Sequence, residues 1–171
     1  MIRLVLPDRS RRDSWLDAIA EFGGDTLHGF SLFGHEDADL SDDAAFERWR
    51  AREEAQRTVG QDGFVPATVW WIVDDTEPDI VLGSMHLRHE LNDFLLAEGG
   101  HIGYAVRPSA RGRGVATAAL AACLDEARGM GLDRVLLICD ADNAGSRATI
   151  RRAGGVPENG PGTIERFWIT L

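Results

Sequence analysis

Residues 106–116 read VRPSARGRGVA: a strand end, a turn with Gly112 and Gly114 flanked by Arg111 and Arg113, and the start of an apolar helix. A glycine has no β-carbon, so the amides of such a turn can converge on a ligand, and a helix N-terminus adds the positive end of its dipole. The stretch predicts an anion site at a strand-to-helix junction, and pyrophosphate is the anion that suits it. Working outward, HIGYAV (101–106) supplies the strand. The helix spans about 112–130, with Ala116, Leu120, Cys123, Leu124 and Ala127 on one face and Gly129 and Gly131 at its end.

Beyond that helix RVLLICD (134–140) is an almost unbroken apolar run, expected to be a buried strand. Asp142 or Asn143 caps a further helix that stops at Gly154-Gly155, and TIERFWITL (163–171) is a last strand. Upstream of the glycine turn, VPATVWWIVDD and DIVLGSMHLRH read as two antiparallel strands, with the turn placed at DTEPD around Pro78. Residues 90–97 read as a loop or a helical turn. The first half opens with a short strand over 2–6. A helix capped by Ser10 follows, carrying Trp15, Ile19 and Phe22 as far as Gly23-Gly24. A loop runs to about Asp39, and Ser41 opens a second helix presenting Ala45, Phe46 and Trp49. The order is strand, two helices, three strands, helix, strand, helix, strand. No repeat or linker interrupts residues 1–171, so one mixed α/β domain is expected.

A formal net charge of −10 argues against a general nucleic-acid binder, which needs clustered cations for the phosphate backbone. The positive charge is uneven: Arg107, Arg111 and Arg113 surround the turn, whereas Arg147, Arg151 and Arg152 read as solvated surface. Cys123 and Cys139 lie in apolar segments without metal-ligand spacing. Buried reduced thiols and a cytoplasmic location are expected, with no metal site and no membrane span. The long apolar final strand is a candidate homodimer edge.

Three kinds of site use a glycine turn at this kind of junction. A nucleoside-triphosphate loop requires Gly-Lys-Ser/Thr, but Gly114 is followed by Val115-Ala116. A dinucleotide fingerprint would need a third glycine where Thr117 stands, and an opening βαβ unit. The remaining pattern, Arg111-x-x-Gly114-x-Ala116, resembles the acetyl-CoA signature of the GNAT superfamily of N-acetyltransferases. The likeness extends over about 65–171. GGHIGYAVRPSARGRGVA, DADNAGSRATIRRAGGVPEN and the terminal ERFWI are together similar to a bacterial branch of the superfamily, and this imports no acceptor.

The resemblance implies a GNAT fold: a mixed, mostly antiparallel sheet of about six to seven strands with about four helices, splayed at the cofactor strand. It places the pantetheine of acetyl-CoA along Tyr104, Ala105 and Val106, and the pyrophosphate on the amides of Arg111, Gly112, Arg113, Gly114, Val115 and Ala116. Asn143 would meet the pantetheine arm near the thiol, with Ser146 beside it; Asn143 also reads as a helix cap. Acetyl transfer to a primary amine needs a base, since a free alkyl ammonium has a pKa near ~10.4. The superfamily's usual glutamate position falls on Gly100, leaving Glu98 and His101 as candidates. Its usual tyrosine acid falls on Ile150, leaving Tyr104, Ser146 or water. His101 also reads as a satisfied strand histidine, and Tyr104 as a packed strand aromatic.

Acceptor recognition is expected from the first half and from His86, His89, Glu90, Asn92 and Asp93, with Phe30, Phe33, Trp70 and Trp71 as candidate pocket walls. The acidic first half would suit a cationic amine. Direct attack in a ternary complex is favoured over an acetyl-cysteine, because Cys139 has no paired base nearby. Two alternatives stay open: a CoA-binding sensor or interaction module without turnover, and transfer of a longer acyl group.

Overall fold

β-branched and aromatic runs make the strands, and the helices flank them. The computed structural model describes residues 1–158 and 162–171. Its elements are β1 (Ile2–Val5), α1 (Arg12–Ala20), α2 (Asp43–Gln56), β2 (Ala67–Asp74), β3 (Glu77–Arg88), β4 (Ile102–Val106), α3 (Val115–Gly129), β5 (Arg134–Asp140), α4 (Ala144–Arg152), β6 (Val156–Glu158) and β7 (Ile164–Thr170). Antiparallel ladders join them into two sheets, ordered β1-β2-β3-β4 and β5-β7-β6. β4 and β5 face one another without a shared ladder, which is the expected splay. Asn159, the last residue of the second run quoted above, lies outside the described residues.

Two cores lie on opposite faces of the first sheet. On one, Ile72, Met85, Leu87 and Ile102 pack with α3 side chains Ala119, Leu120 and Cys123 and with Leu137 and Phe167 of the second sheet. On the other, Trp15 of α1, Phe46 and Trp49 of α2 and Trp71 of β2 form an aromatic cluster, with Trp15 4.6 Å from Trp49 and 5.3 Å from Trp71 between ring centroids. Such pairs add about 0.5–1.5 kcal/mol each beyond their buried area. The fixed alternation of strand side chains then sorts the site. Tyr104 pairs with Met85 and faces α3, while His86, opposite Gly103, and Arg88 face the α1–α2 side.

Local departures from expectation have identifiable causes. Asp8, not Ser10, caps the turn before α1 by accepting from Arg11 N at 3.2 Å, and Asp42, not Ser41, caps α2 by accepting from Ala45 N at 2.9 Å. Asp8 directly precedes the 3-10 turn Arg9–Arg11 that leads into α1, and Asp42 directly precedes α2, so in each case the carboxylate stands at the position whose side chain meets the free amides of the first turn. The β2–β3 turn is tighter than DTEPD: Asp74 Oδ1 accepts from Thr76 N and Oγ1, both at 3.0 Å, and Pro78 falls inside β3 where the ladder is bulged. α3 begins at Val115, since Gly112 and Gly114 hold φ of +75° and +78°. β6, too short to register as a pattern, pairs with Arg166–Trp168 of β7. β7 is therefore the middle strand of its sheet, and the edge that sheet offers at this point is β6. Among the described residues no helix is long and apolar enough to cross a membrane, and both cysteines are buried and free.

Candidate active site

The glycine turn is an open cradle. A β-carbon added at Gly112 or Gly114 would meet nothing within 4 Å, and among the described residues the amides of Gly112, Arg113 and Gly114 donate to no protein group. The first intrahelical bond of α3 runs from Ala118 N to Gly114 O, leaving the amides of Val115 and Ala116 at the positive end of the helix. These amides fit a pyrophosphate by backbone geometry alone.

The arginines around the turn divide. Arg107 binds Glu21 at the end of α1 through Nε at 2.8 Å and through Nη2, and donates from Nη1 to Val81 O. Ser109 N and Oγ both donate to the same carboxylate at 3.0 Å. These bonds, the Arg107 pair foremost, hold Glu21 at a pKa of about 2. Arg107 thus braces the turn from behind. Arg111 folds back, donating from Nε to Val106 O at 3.0 Å and lying over the Phe22 ring. Arg113 is exposed and is the arginine of the three left for an incoming phosphate.

Between β4 and β5 opens a cavity of about 580 Å³ that continues past the β4 edge to the loop joining α1 and α2. On the β5 side it is lined by Cys139, Asn143, Ser146 and Ile150, with Tyr104 opposite. Asn143 Oδ1 accepts from Ser146 N at 3.0 Å and so caps α4; the same bond fixes Ser146, whose hydroxyl lies 3.0 Å from Tyr104 Oη. Burial raises the pKa of the Tyr104 phenol, which remains protonated at neutral pH. Ile150, where the superfamily's tyrosine would stand, is buried and lines the cavity beside this pair. The two hydroxyls beside it come from β4, on Tyr104, and from α4, on Ser146. Ala105 and Val106 complete the free edge of β4.

Gly100 explains the missing strand glutamate. Its φ is +67°, and a β-carbon there would stand 2.6 Å from Leu136 O, so no side chain fits. His101 follows, buried, donating from its backbone N to Leu136 O at 2.7 Å and accepting from Leu136 N on Nδ1 at 2.9 Å. Burial, with Arg88 and Arg134 nearby, lowers its pKa to about 4. The imidazole is a neutral bridge between the sheets and does not line the cavity. Glu98 does line it, from the π-helical turn Leu95–Gly99 whose start is fixed by Asn92 Oδ1 accepting from Leu95 N. Of the two candidate bases, the structure brings Glu98 to the cavity.

The acceptor half differs from expectation in its walls and its charge. Phe33 lines it, but Phe30, Trp70 and Trp71 are core side chains. His86 and Asn92 line it, whereas His89 hydrogen-bonds Thr68 at 2.9 Å, and Glu90 and Asp93 are exposed outside the cavity. No acidic residue of 1–64 lines this cavity; its basic side chains are Arg52 and Arg88, and its acids Glu98 and Asp140. Apart from the buried Glu53, the acidity of the first half is spread over outer surface. Missed from the sequence were Arg88, Gly29 and the Ser31–Glu53 pair. A β-carbon at Gly29 would stand 2.5 Å from Gly103 O, so the α1–α2 loop packs directly on β4. Ser31 Oγ donates to Glu53 Oε2 at 2.8 Å, and burial pushes Glu53 up to about 7. The α1–α2 loop has no hydrophobic periodicity to signal such contacts; a lone buried-face glutamate in α2 was the available signal for the last.

Comparison with known proteins agrees with this geometry. A family model described as an acetyltransferase (GNAT) domain matches residues 9–156. Mycothiol acetyltransferase of Beutenbergia cavernae is 33% identical over 105 residues, 61% of this chain and 34% of that protein, so the chain spans about a third of that relative's length. Among solved structures, Mycobacterium smegmatis RimJ in complex with CoA-disulfide superposes with a TM-score of 0.66 at 20% identity, covering 99% of this chain and 85% of that one. Microcin C7 self-immunity acetyltransferase MccE, in complex with acetyl-CoA and AMP, superposes with a TM-score of 0.65 at 17% identity, covering 99% and 92%. At these identities the structural likeness is one of fold.

Proposed function

The chain belongs to the GNAT acetyltransferases, and from that premise we propose that residues 1–171 act as one domain transferring acetyl from acetyl-CoA to a primary amine by direct attack in a ternary complex. The observation that carries this reading is the continuity of the cavity, from the Tyr104–Ser146 hydroxyl pair past the edge of β4 to the α1–α2 loop. Donor and acceptor can then meet without a covalent enzyme intermediate. The Cys139 thiol is pushed up by burial, which leaves little thiolate to act as a nucleophile.

Acetyl-CoA supplies a thioester, an electrophilic carbonyl whose sulfur can leave as a thiolate. The amides of residues 112–116 hold its pyrophosphate, that of Arg111 being taken by Pro108 O at 3.2 Å, and the free edge of β4 over Tyr104, Ala105 and Val106 pairs with its pantetheine as an added strand would. Glu98, directly or through a water, takes the proton that the attacking amine must lose. Tyr104, protonated and oriented by Ser146, delivers a hydrogen bond or proton at the sulfur. Much of the acceleration comes from holding the two reactants in line.

Saturating acetyl-CoA at about 100 times its Kd should stabilise the fold by about 2.7 kcal/mol, a rise of about 5–10 °C in Tm. Gly114→Asp, which puts a carboxylate in the cradle, should abolish that rise. No shift at millimolar acetyl-CoA would sink the donor assignment. A shift without thiol release across an amine panel would favour the sensor, a reading that Gly100 and Ile150 at the usual acid–base positions keep in play.

A further inference from the structure

Arg88 is a half-buried cation without a counter-ion among the described residues. It sits on β3 with its guanidinium over Gly103 of β4, where a β-carbon would lie 3.7 Å from both Nη1 and Nη2. Among the described residues its hydrogen bonds run from Nη1 to Gly99 O at 3.1 Å and to Gly100 O at 3.2 Å, and no carboxylate pairs with it. Nε and Nη2 make no hydrogen bond to protein among the described residues, and Arg88 lines the cavity. Burial alone disfavours its charge, and a guanidinium so placed gains most from a planar anion that takes two parallel N–H bonds. The other arginine of the acceptor half is occupied: Arg52 donates to Phe33 O, lies near Asp62 and stacks on Phe64.

Two neighbours complete the arrangement. His86, two residues earlier on the same face of β3, is 9% exposed, lines the cavity, and has an Nε2 with no hydrogen-bond partner among the described residues. Its desolvation, beside Arg88, keeps it neutral, pushed down to about 3. Glu98 precedes the very carbonyl that anchors Arg88. A carboxylate and a guanidinium therefore line the same end of the cavity without neutralising each other.

We propose that Arg88 and His86 bind a carboxylate on the acceptor, and that the acceptor is a small amino acid carrying its amine a few bonds from that carboxylate, amine toward Glu98 and carboxylate toward Arg88. This deepens the acetyltransferase reading and rests on its placement of the donor between β4 and β5. The acceptor half is then matched to a zwitterion and not to a polycation, despite the net charge of the chain. Removing the acceptor's carboxylate leaves a desolvated guanidinium unpaired, which is the source of discrimination.

The test uses the full chain with acetyl-CoA and a panel of free L-amino acids, their carboxamides and their decarboxylated amines, read by thiol release. At least one free amino acid should exceed its own amide in kcat/KM by tenfold or more, chiefly through KM. Arg88→Gln should shrink that ratio toward one, and Arg88→Lys, which keeps charge but loses the fork, should give an intermediate ratio. Equal or better use of the amides by the wild type overturns the proposal while leaving acetyl transfer standing, and that comparison needs no variant to fold. Should no amine release thiol, calorimetry on the CoA-loaded protein separates the two ideas. Amino acids that bind while their amides do not would sustain the carboxylate site and remove turnover; binding of neither, or of both alike, removes the site.

Discussion

At the Ile102 end of β4 the chain is pinned to β5, where Gly100 and His101 reach Leu136; at the Val106 end the two strands part around Tyr104 and Ser146. The pinned end uses a backbone amide, an imidazole nitrogen and a glycine, and the open end uses hydroxyls and free backbone. A ladder that began at His101 has no continuation, because the acceptor for Leu136 N is a side chain and not the next carbonyl. The splay is thus made by a pivot as much as by a missing partner. The same contrast separates the two sorts of glycine: Gly100 is demanded by a close approach, whereas Gly112 and Gly114 stand in open space.

The largest effect should come from breaking the pivot. Gly100→Ala combines a φ of +67° and ψ of −174°, a region essentially confined to glycine that costs a residue with a β-carbon about 1–3 kcal/mol, with an overlap on backbone that cannot swing away, about 1–3 kcal/mol more. A loss of about 3 kcal/mol, or about 6–12 °C in Tm, is expected by thermal unfolding. Gly112→Ala has the same sign of φ and no overlap, so its cost should stay within about 1–2 kcal/mol. Equal costs at the two positions would mean that the pivot carries no special load.

At the open end the expected effect is on rate. Tyr104→Phe deletes the hydroxyl that faces Ser146 and leaves the ring packed, so kcat should fall by about tenfold or more, at the low end or below the usual yield of a positioned acid. KM for acetyl-CoA and Tm should change little, since the deletion leaves no large cavity. Ser146→Ala should act in the same direction and more weakly if Ser146 only orients the phenol. A Tyr104→Phe enzyme with full kcat would return the proton to water.

The backbone features of the proposed donor half were legible in the sequence, because they are local. Gly112 and Gly114 announce positive φ, Val115 and Ala116 announce a helix start, and Asn143 announces a cap; all of these are local. The acceptor half was not, because its parts meet across long separations. Arg88 acts on Gly99 and Gly100, and Gly29 seats a loop on Gly103 seventy-odd positions away, with no periodicity to signal either contact. The aromatics Trp71 and Phe30 looked like pocket walls on the strength of residue type, and tertiary packing spent them on the core. Acidic composition misled for a similar reason: a sum of charges records nothing of which ones face inward.

The smallest effect concerns pH at the pivot. His101 Nδ1 must be unprotonated to accept from Leu136 N, and burial lowers its pKa in the folded protein to about 4 from the ordinary imidazole value of 6.5. A base whose pKa is depressed on folding binds fewer protons folded than unfolded. Its stabilising contribution is therefore complete above about pH 6.5 and is lost progressively as pH falls from 6.5 through 4. By pH 5.5 the loss is about 1 kcal/mol, or about 2–4 °C, on top of whatever other groups contribute. His101→Asn isolates it, because Asn Oδ1 can take the place of Nδ1 as an acceptor without titrating. The wild type should lose Tm relative to His101→Asn on going from pH 7.5 to 5.5, and parallel curves would show that the imidazole bridge does not sense protons in this range.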